Sequence, residues 1–377
     1  MKNSHYVTSP LLPSKDDFSE CINEIFDSGY LTNGGKFVKS LEKKLSEFLE
    51  VGFISLFSSG TMALALAIKS QNLTGEVITT PFTHVSTIQA LYWNNLKPVF
   101  VDMERSTLNI CTSALEKAIS PETCAILPVH IFGNLCRVKE IEKLANKYNL
   151  KVIYDAAHCF GVKVDGESVL NYGDLSVLSF HATKVFNSIE GGAVVSHDKE
   201  TKDFLDALAN SGVDKNSCLT GYGLNSKMNE IQAAFGLASL NLADNAIANR
   251  KYSTIIYREL LKNINGIHTI HIPDNITHNY IYFPIIIEPN TFGATASEIQ
   301  NYLSYNQVYA KRYFHPLISE SNLFKSCRKY DLSNCKEISD NILCLPLSHK
   351  LTMSEIEYIV DLLIKFKENR TRTTHNK

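Results

Sequence analysis

Phe37, Leu41, Leu45, Phe48 and Leu49 recur at helical spacing with Lys and Glu between them, so residues 36–50 predict an amphipathic helix. Residues 14–28 read the same way, and Leu31-Thr32-Asn33-Gly34-Gly35 forms a loop between the two. The pattern then changes to short apolar runs at 53–57, 77–80, 98–101, 125–129, 152–154, 175–180 and 193–195. Helical stretches at 62–70, 83–93, 113–119 and 137–148 lie between several of them. Continuous apolar strands alternating with helices predict an α/β fold built on a large, mostly parallel sheet covered on both faces. In such sheets the ligand site lies beyond the carboxyl ends of the strands. The residues just after each run are therefore where chemistry is expected.

The texture shifts near residues 240–250. From Asn249 onward the pattern predicts long helices at 250–262, 296–305 and 353–367, with strand-like runs that include 280–287. We expect a large domain over 1–245 and a smaller C-terminal α+β domain over 246–377. The tail from Lys367 to Lys377 is polar and is expected to fray.

Composition narrows the classes. Lys and Arg total 37 against 39 Asp and Glu in 377 residues, and no basic block is present, which argues against a nucleic-acid partner. Polar residues interrupt every apolar stretch short of the ~18 positions a membrane span needs, so no membrane role is expected. Met1 to Tyr6 has no apolar signal region. Nine cysteines, an odd number with no C-x-x-C pair, read as reduced thiols of a cytoplasmic protein and not as a disulfide framework or metal site.

Three strand ends carry candidate chemistry. Ser58-Ser59-Gly60-Thr61 joins an apolar strand to an apolar helix. Small residues at a helix N-terminus suit a phosphate, and equally suit a plain helix cap. Asp155 directly follows the run at Val152. It fits a metal ligand, a catalytic acid, a helix cap or the partner of a cationic ring nitrogen. Lys184, in Ser179-Phe180-His181-Ala182-Thr183-Lys184, leaves a sheet edge where its amine is either solvated or desolvated. Desolvation would lower its pKa and free the amine to attack carbonyls. Phosphate loop, acid and lysine in that order suit one cofactor, pyridoxal 5′-phosphate (PLP). Other motifs fail. Gly221-Tyr222-Gly223 lacks the third glycine of a dinucleotide fingerprint, and Gly29 to Lys36 only approximates a P-loop. His268, His271 and His278 lack an acid or cysteine in register and read as surface or packing residues.

Taken together these motifs resemble the DegT/DnrJ/EryC1/StrS family of PLP-dependent nucleotide-sugar aminotransferases, from Tyr30-Leu31-Thr32-Asn33-Gly34 to Leu345-Pro346-Leu347-Ser348. The resemblance implies an aspartate aminotransferase-like fold (fold type I) and a homodimer with active sites at the subunit interface. It implies that Lys184 is the Schiff-base lysine and Asp155 the partner of the ring nitrogen. His158 would stand beside the cofactor's phenolic oxygen, while Gly60, Thr61 and Ser179 would bind the phosphate. His84 falls where a ring stacks on the cofactor, with Phe82 as its rival. Asn225 resembles an asparagine that reaches the phosphate in the neighbouring subunit, although Lys227 stands where the family usually has Arg.

Phe180-His181 and Glu190-Gly191-Gly192 side with members acting on 4-keto sugars, so His181 is a substrate candidate. The resemblance is strongest to members that make dTDP-4-amino-4,6-dideoxy-D-glucose for O-antigen and lipopolysaccharide. The substrates implied are a nucleotide-diphosphate sugar and L-glutamate. Lys311 and Arg312 are candidates to meet the sugar diphosphate. The rivals are a 3-keto sugar aminotransferase, a sugar dehydratase and a non-catalytic regulator on the same fold. The dehydratases lack the lysine, and a regulator is expected to have lost Lys or Asp.

Overall fold

A computed structural model describes residues 4–375. Its centre is an eight-stranded sheet in the order Arg328–Lys329, Lys97–Phe100, Glu76–Thr79, Thr123–Leu127, Lys151–Asp155, Leu175–Ser179, Gly192–Ser196, Phe53–Phe57. Every neighbouring pair is parallel except those made by Gly192–Ser196, which runs against both its partners. Apart from the edge strand Arg328–Lys329, which no apolar run marks, the strands are short and largely buried, as their apolar runs predict.

Helices cover each face. On one side Phe37, Leu41, Leu45 and Leu49 of the helix Lys36–Leu49 point into a core shared with Val138–Tyr148. On the other side Gly60–Ser70 and Lys199–Ala209 pack against the same sheet. The helices Lys199–Ala209, Glu230–Leu240 and Ser333–Asn341 were not foreseen. Glu230–Leu240 is apolar on nearly every side because it is buried, so it carries no helical period to read.

A second, antiparallel sheet has the order Ile267–Thr269, Phe283–Ile287, Ile342–Leu345. It shares a separate core with Ala243–Leu261, Ala296–Tyr305 and the helix Met353–His375. The first of these helices begins at Ala243 instead of near 250. The strand expected over 280–287 forms only from Phe283, because Tyr280 has φ 53° and bends the chain out of the ladder. The tail expected to fray continues as helix to His375, and residues 376–377 lie outside the described residues, as do Met1 to Asn3 of the N-terminal signal reading.

Three pairings cross the 245/246 boundary. His5–Tyr6 pairs with Val308–Tyr309, Ile276–Thr277 with Lys163–Val164, and Arg328–Lys329 extends the large sheet. Among the described residues no helix is long and apolar enough to cross a membrane.

Arg250 anchors one such crossing. Its fully buried guanidinium donates to the carbonyls of Ile281 and Leu347, each at 3.1 Å, and to Thr8 Oγ1 at 3.2 Å. Burial lowers its pKa to about 10, so it stays charged near neutral pH. Arg250→Met removes all three donors and leaves buried carbonyls unpaired. The expected cost is about 2–4 kcal/mol of stability, measured as a shift of the urea midpoint.

Candidate active site

The carboxyl ends of five strands open on one cavity of about 550 Å³. Four of the predicted strand-end residues, Gly60, Asp155, Ser179 and Lys184, line it together.

At Gly60 the chain enters the helix Gly60–Ser70, capped by Ser59, whose Oγ accepts from Met62 N at 3.3 Å. The first backbone bond inside the helix runs from Ala63 N to Ser59 O at 3.0 Å. The N–H groups of Gly60 and Thr61 thus precede any intrahelical partner, which is what an anion needs. Gly60 is required by space: a Cβ there would stand 2.8 Å from Ser179 Cβ. Thr61 Oγ1 donates to Ser86 Oγ at 3.1 Å, which in turn lies 2.9 Å from His84 Nδ1. Two hydroxyls and an imidazole are tied together along this wall.

Asp155 ends the strand Lys151–Asp155 and is only 8 % exposed. Its Oδ2 accepts from Thr87 Oγ1 at 2.8 Å and its Oδ1 from Ala157 N at 3.2 Å. Thr87 Oγ1 also lies 2.9 Å from Thr83 Oγ1. A buried carboxylate with two neutral donors still has lone pairs to offer a cation. Lys184 lies in the same cavity. Desolvation lowers its pKa to about 8, while the nearby Asp155 charge raises it by a smaller amount.

His158 is buried, and its Nδ1 accepts from Phe132 N at 3.1 Å. Burial first, then the charges of Lys184 and His84, push its pKa well below the usual range, so the ring is neutral. It lies parallel to Phe132 and Phe314 and edge-on to Tyr282. His84 caps the helix Val85–Trp93 and lines the cavity, its pKa lowered by desolvation and by Lys184. The rival Phe82 is fully buried and packs edge-on against Phe132 and Phe314, so it belongs to the core.

Lys311 and Arg312 do not line the cavity. Arg312 donates instead to Ser297 Oγ and to the carbonyls of Ser339 and Asp340, which end the helix Ser333–Asn341. The next two residues, Tyr313 and Phe314, face the cavity in their place. Asn225, expected to reach a neighbouring subunit's cofactor, is not in the lining of its own chain's cavity, and its Oδ1 accepts from Lys227 Nζ at 3.1 Å. Tyr282 and Thr87 line the cavity and were missed, and Glu190, read only as part of the Glu190-Gly191-Gly192 motif, lines it as well. Tyr282 sat in a run that read as core strand, and Thr87 sat inside a helix.

The donor set fits a ligand carrying an aldehyde, a basic ring nitrogen and a phosphate. An amine with a lowered pKa, a buried carboxylate and a glycine helix N-terminus with hydroxyls meet in one space. On this large, mostly parallel sheet, that set is the arrangement of fold type I PLP enzymes. The chain belongs to the DegT/DnrJ/EryC1/StrS aminotransferase family, whose model matches residues 14–364. It is an aminotransferase, and its cofactor is PLP.

The chain is 44% identical over 368 residues to a dTDP-4-amino-4,6-dideoxy-D-glucose transaminase of Shigella dysenteriae, covering 97% of this chain and 100% of that one. It is 40% identical over 364 residues to a transaminase of the same description from Escherichia coli, covering 95% and 97%. Among solved structures, DesI with its TDP-sugar product superposes with a TM-score of 0.95 at 29% identity, covering 100% of this chain and 96% of that one. Helicobacter pylori PseC, an aminotransferase of pseudaminic acid biosynthesis, gives 0.90 at 26% identity, covering 97% and 100%.

Two outcomes follow. In cofactor-free protein the rate of covalent PLP uptake, read by absorbance, should rise with pH and level off above a pKa of about 8. At pH 7 it should be roughly tenfold below the plateau, since only the neutral amine attacks. A rate still climbing at pH 10 would contradict the lowered pKa. Thr87→Val removes one donor from Asp155 and should weaken PLP retention about tenfold, measured by dialysis and absorbance.

Proposed function

We propose that this enzyme moves the amino group of L-glutamate to C4 of dTDP-4-keto-6-deoxy-D-glucose. The product is dTDP-4-amino-4,6-dideoxy-D-glucose, for O-antigen and lipopolysaccharide synthesis in the cytoplasm. The observation that carries this reading is the identity of 44% and 40% to two transaminases of that sugar over nearly the whole chain.

When bound, PLP supplies an aldehyde that bonds to amines and a cationic ring that accepts the electron pair left on carbon when a proton is removed. The chain's own residues then have distinct work. Lys184 Nζ takes the proton from the donor's α-carbon and hands it on. Its lowered pKa keeps a useful fraction of the amine neutral near pH 7–8. Asp155, fixed by Thr87 and Ala157, would face the ring nitrogen and favour its protonated form by charge. The Gly60 and Thr61 N–H groups, with the Thr61 and Ser179 hydroxyls, would hold the phosphate. Neutral His158 would flank the phenolic oxygen and His84 the ring face. Phe314 and Tyr282 close the wall and exclude water.

Asn225, unused in its own cavity, suits delivery to a second copy, which supports a homodimer with shared sites. The separate core around Phe283–Ile287 supports a division of the chain near 245/246, with the three exchanged pairings holding the parts together.

The test is an assay of dTDP- and UDP-linked 4-keto-6-deoxy sugars with glutamate, with the product solved by NMR. The expected product carries nitrogen at C4, whereas nitrogen at C3 would support the 3-keto rival instead. Lys184→Ala should lose at least about 10²–10⁴-fold in kcat.

A further inference from the structure

Beside Lys184 the cavity wall holds a second constellation that the proton chemistry above leaves unused. His181 Nδ1 accepts the Thr183 N–H at 3.2 Å and lies 2.8 Å from Thr183 Oγ1. With Nδ1 accepting, the ring proton of the neutral imidazole lies on Nε2, which stands 3.5 Å from Glu190 Oε1. Both side chains line the cavity with Lys184 and are half open to it.

Glu190 reaches this position through a strained turn. Ile189, a β-branched residue, has φ 69°. The surroundings hold the strain in place. Asn187 is buried, donates to Leu11 O at 2.9 Å and accepts from Ile189 N at 3.1 Å. The Glu190 carbonyl accepts from Ser188 Oγ and from Gln232 Nε2, each at 2.9 Å. A backbone conformation this unfavourable, fixed from both sides, aims one carboxylate at the reacting space.

A carboxylate there repels a diphosphate or the carboxylates of glutamate. It suits a neutral hydroxyl donor. A 4-keto-6-deoxy hexose bears a ring hydroxyl on one side of its carbonyl carbon, at C3, and a carbon with a methyl group on the other. That hydroxyl is the neutral donor on the carbon next to the reacting one, and Glu190 lines the same cavity as Lys184.

We propose that Glu190 is the specificity-determining acceptor for the C3 hydroxyl of the keto sugar, with His181 Nε2–H orienting its carboxylate. The proposal rests on the 4-keto-sugar reading. That reading fails on the wild-type product alone, whereas this one fails on the variants.

The experiment compares wild type, Glu190→Gln and Glu190→Ala in separate half-reactions. The glutamate half is followed by cofactor absorbance without sugar, and the sugar half by single turnover. The expected result is a loss in the sugar half about 10- to 100-fold greater than any loss in the glutamate half. A 3-deoxy analogue of the keto sugar should be about as poor for wild type as the natural sugar is for Glu190→Ala. Against Glu190→Ala, analogue and natural sugar should differ by less than about threefold. Calorimetric binding of dTDP-6-deoxy-D-glucose to cofactor-free protein should weaken in Glu190→Ala by a similar factor. Equal losses in both half-reactions would assign Glu190 a structural role and overturn the proposal. A larger loss in the glutamate half would make the pair a donor subsite, and undiminished discrimination by the variants would also overturn it.

Discussion

One amine and one carboxylate share a cavity that strips water from the amine, and that sets the terms for the rest of the site. Desolvation lowers the Lys184 pKa, and the Asp155 charge limits how far it falls. Too little burial would leave the amine protonated and inert near neutral pH. The same burial makes an unpaired carboxylate expensive, so Asp155 is held by Thr87 and Ala157. Desolvation and the nearby positive charges hold His158 uncharged, and aromatic rings fill the space behind it.

The sheet supplies the geometry. Gly60, Asp155 and Ser179 come from distant points of the chain, yet each stands at a strand's carboxyl end or just past it, so a parallel sheet delivers them to one edge. Close approach does the fine positioning. Gly60 and Gly192 leave so little room that a Cβ on either would collide with the neighbouring segment. The small antiparallel sheet and its helices bring Tyr282 and Tyr313 to the opposite wall. Arg250 helps secure that approach by tying the first residues to both Ile281 and Leu347.

Most of this was legible where local rules suffice. Apolar runs marked the central strands to within a residue or two, and strand-end position singled out Lys184, Asp155 and Gly60. Legibility ended where tertiary placement decides. Tyr282 reads as another core aromatic until Tyr280 bends the chain and turns it toward the cavity. Arg312 reads as a free cation until the carbonyls closing a helix nobody could see in the pattern claim its guanidinium. Helix Glu230–Leu240 has no polar face to betray its period. The pairing of His181 with Glu190 depends on a turn whose strain no propensity favours. Asn225 belongs to a question that one chain does not pose.

The central claim is that the amine of Lys184 is the one that bonds to the cofactor's aldehyde. Borohydride reduction of the PLP-loaded protein, followed by proteolysis and mass spectrometry, tests it directly. The account predicts a single pyridoxyl group, on the peptide containing Lys184 and on that side chain. A label on any other lysine, or none after reduction of yellow protein, would contradict it.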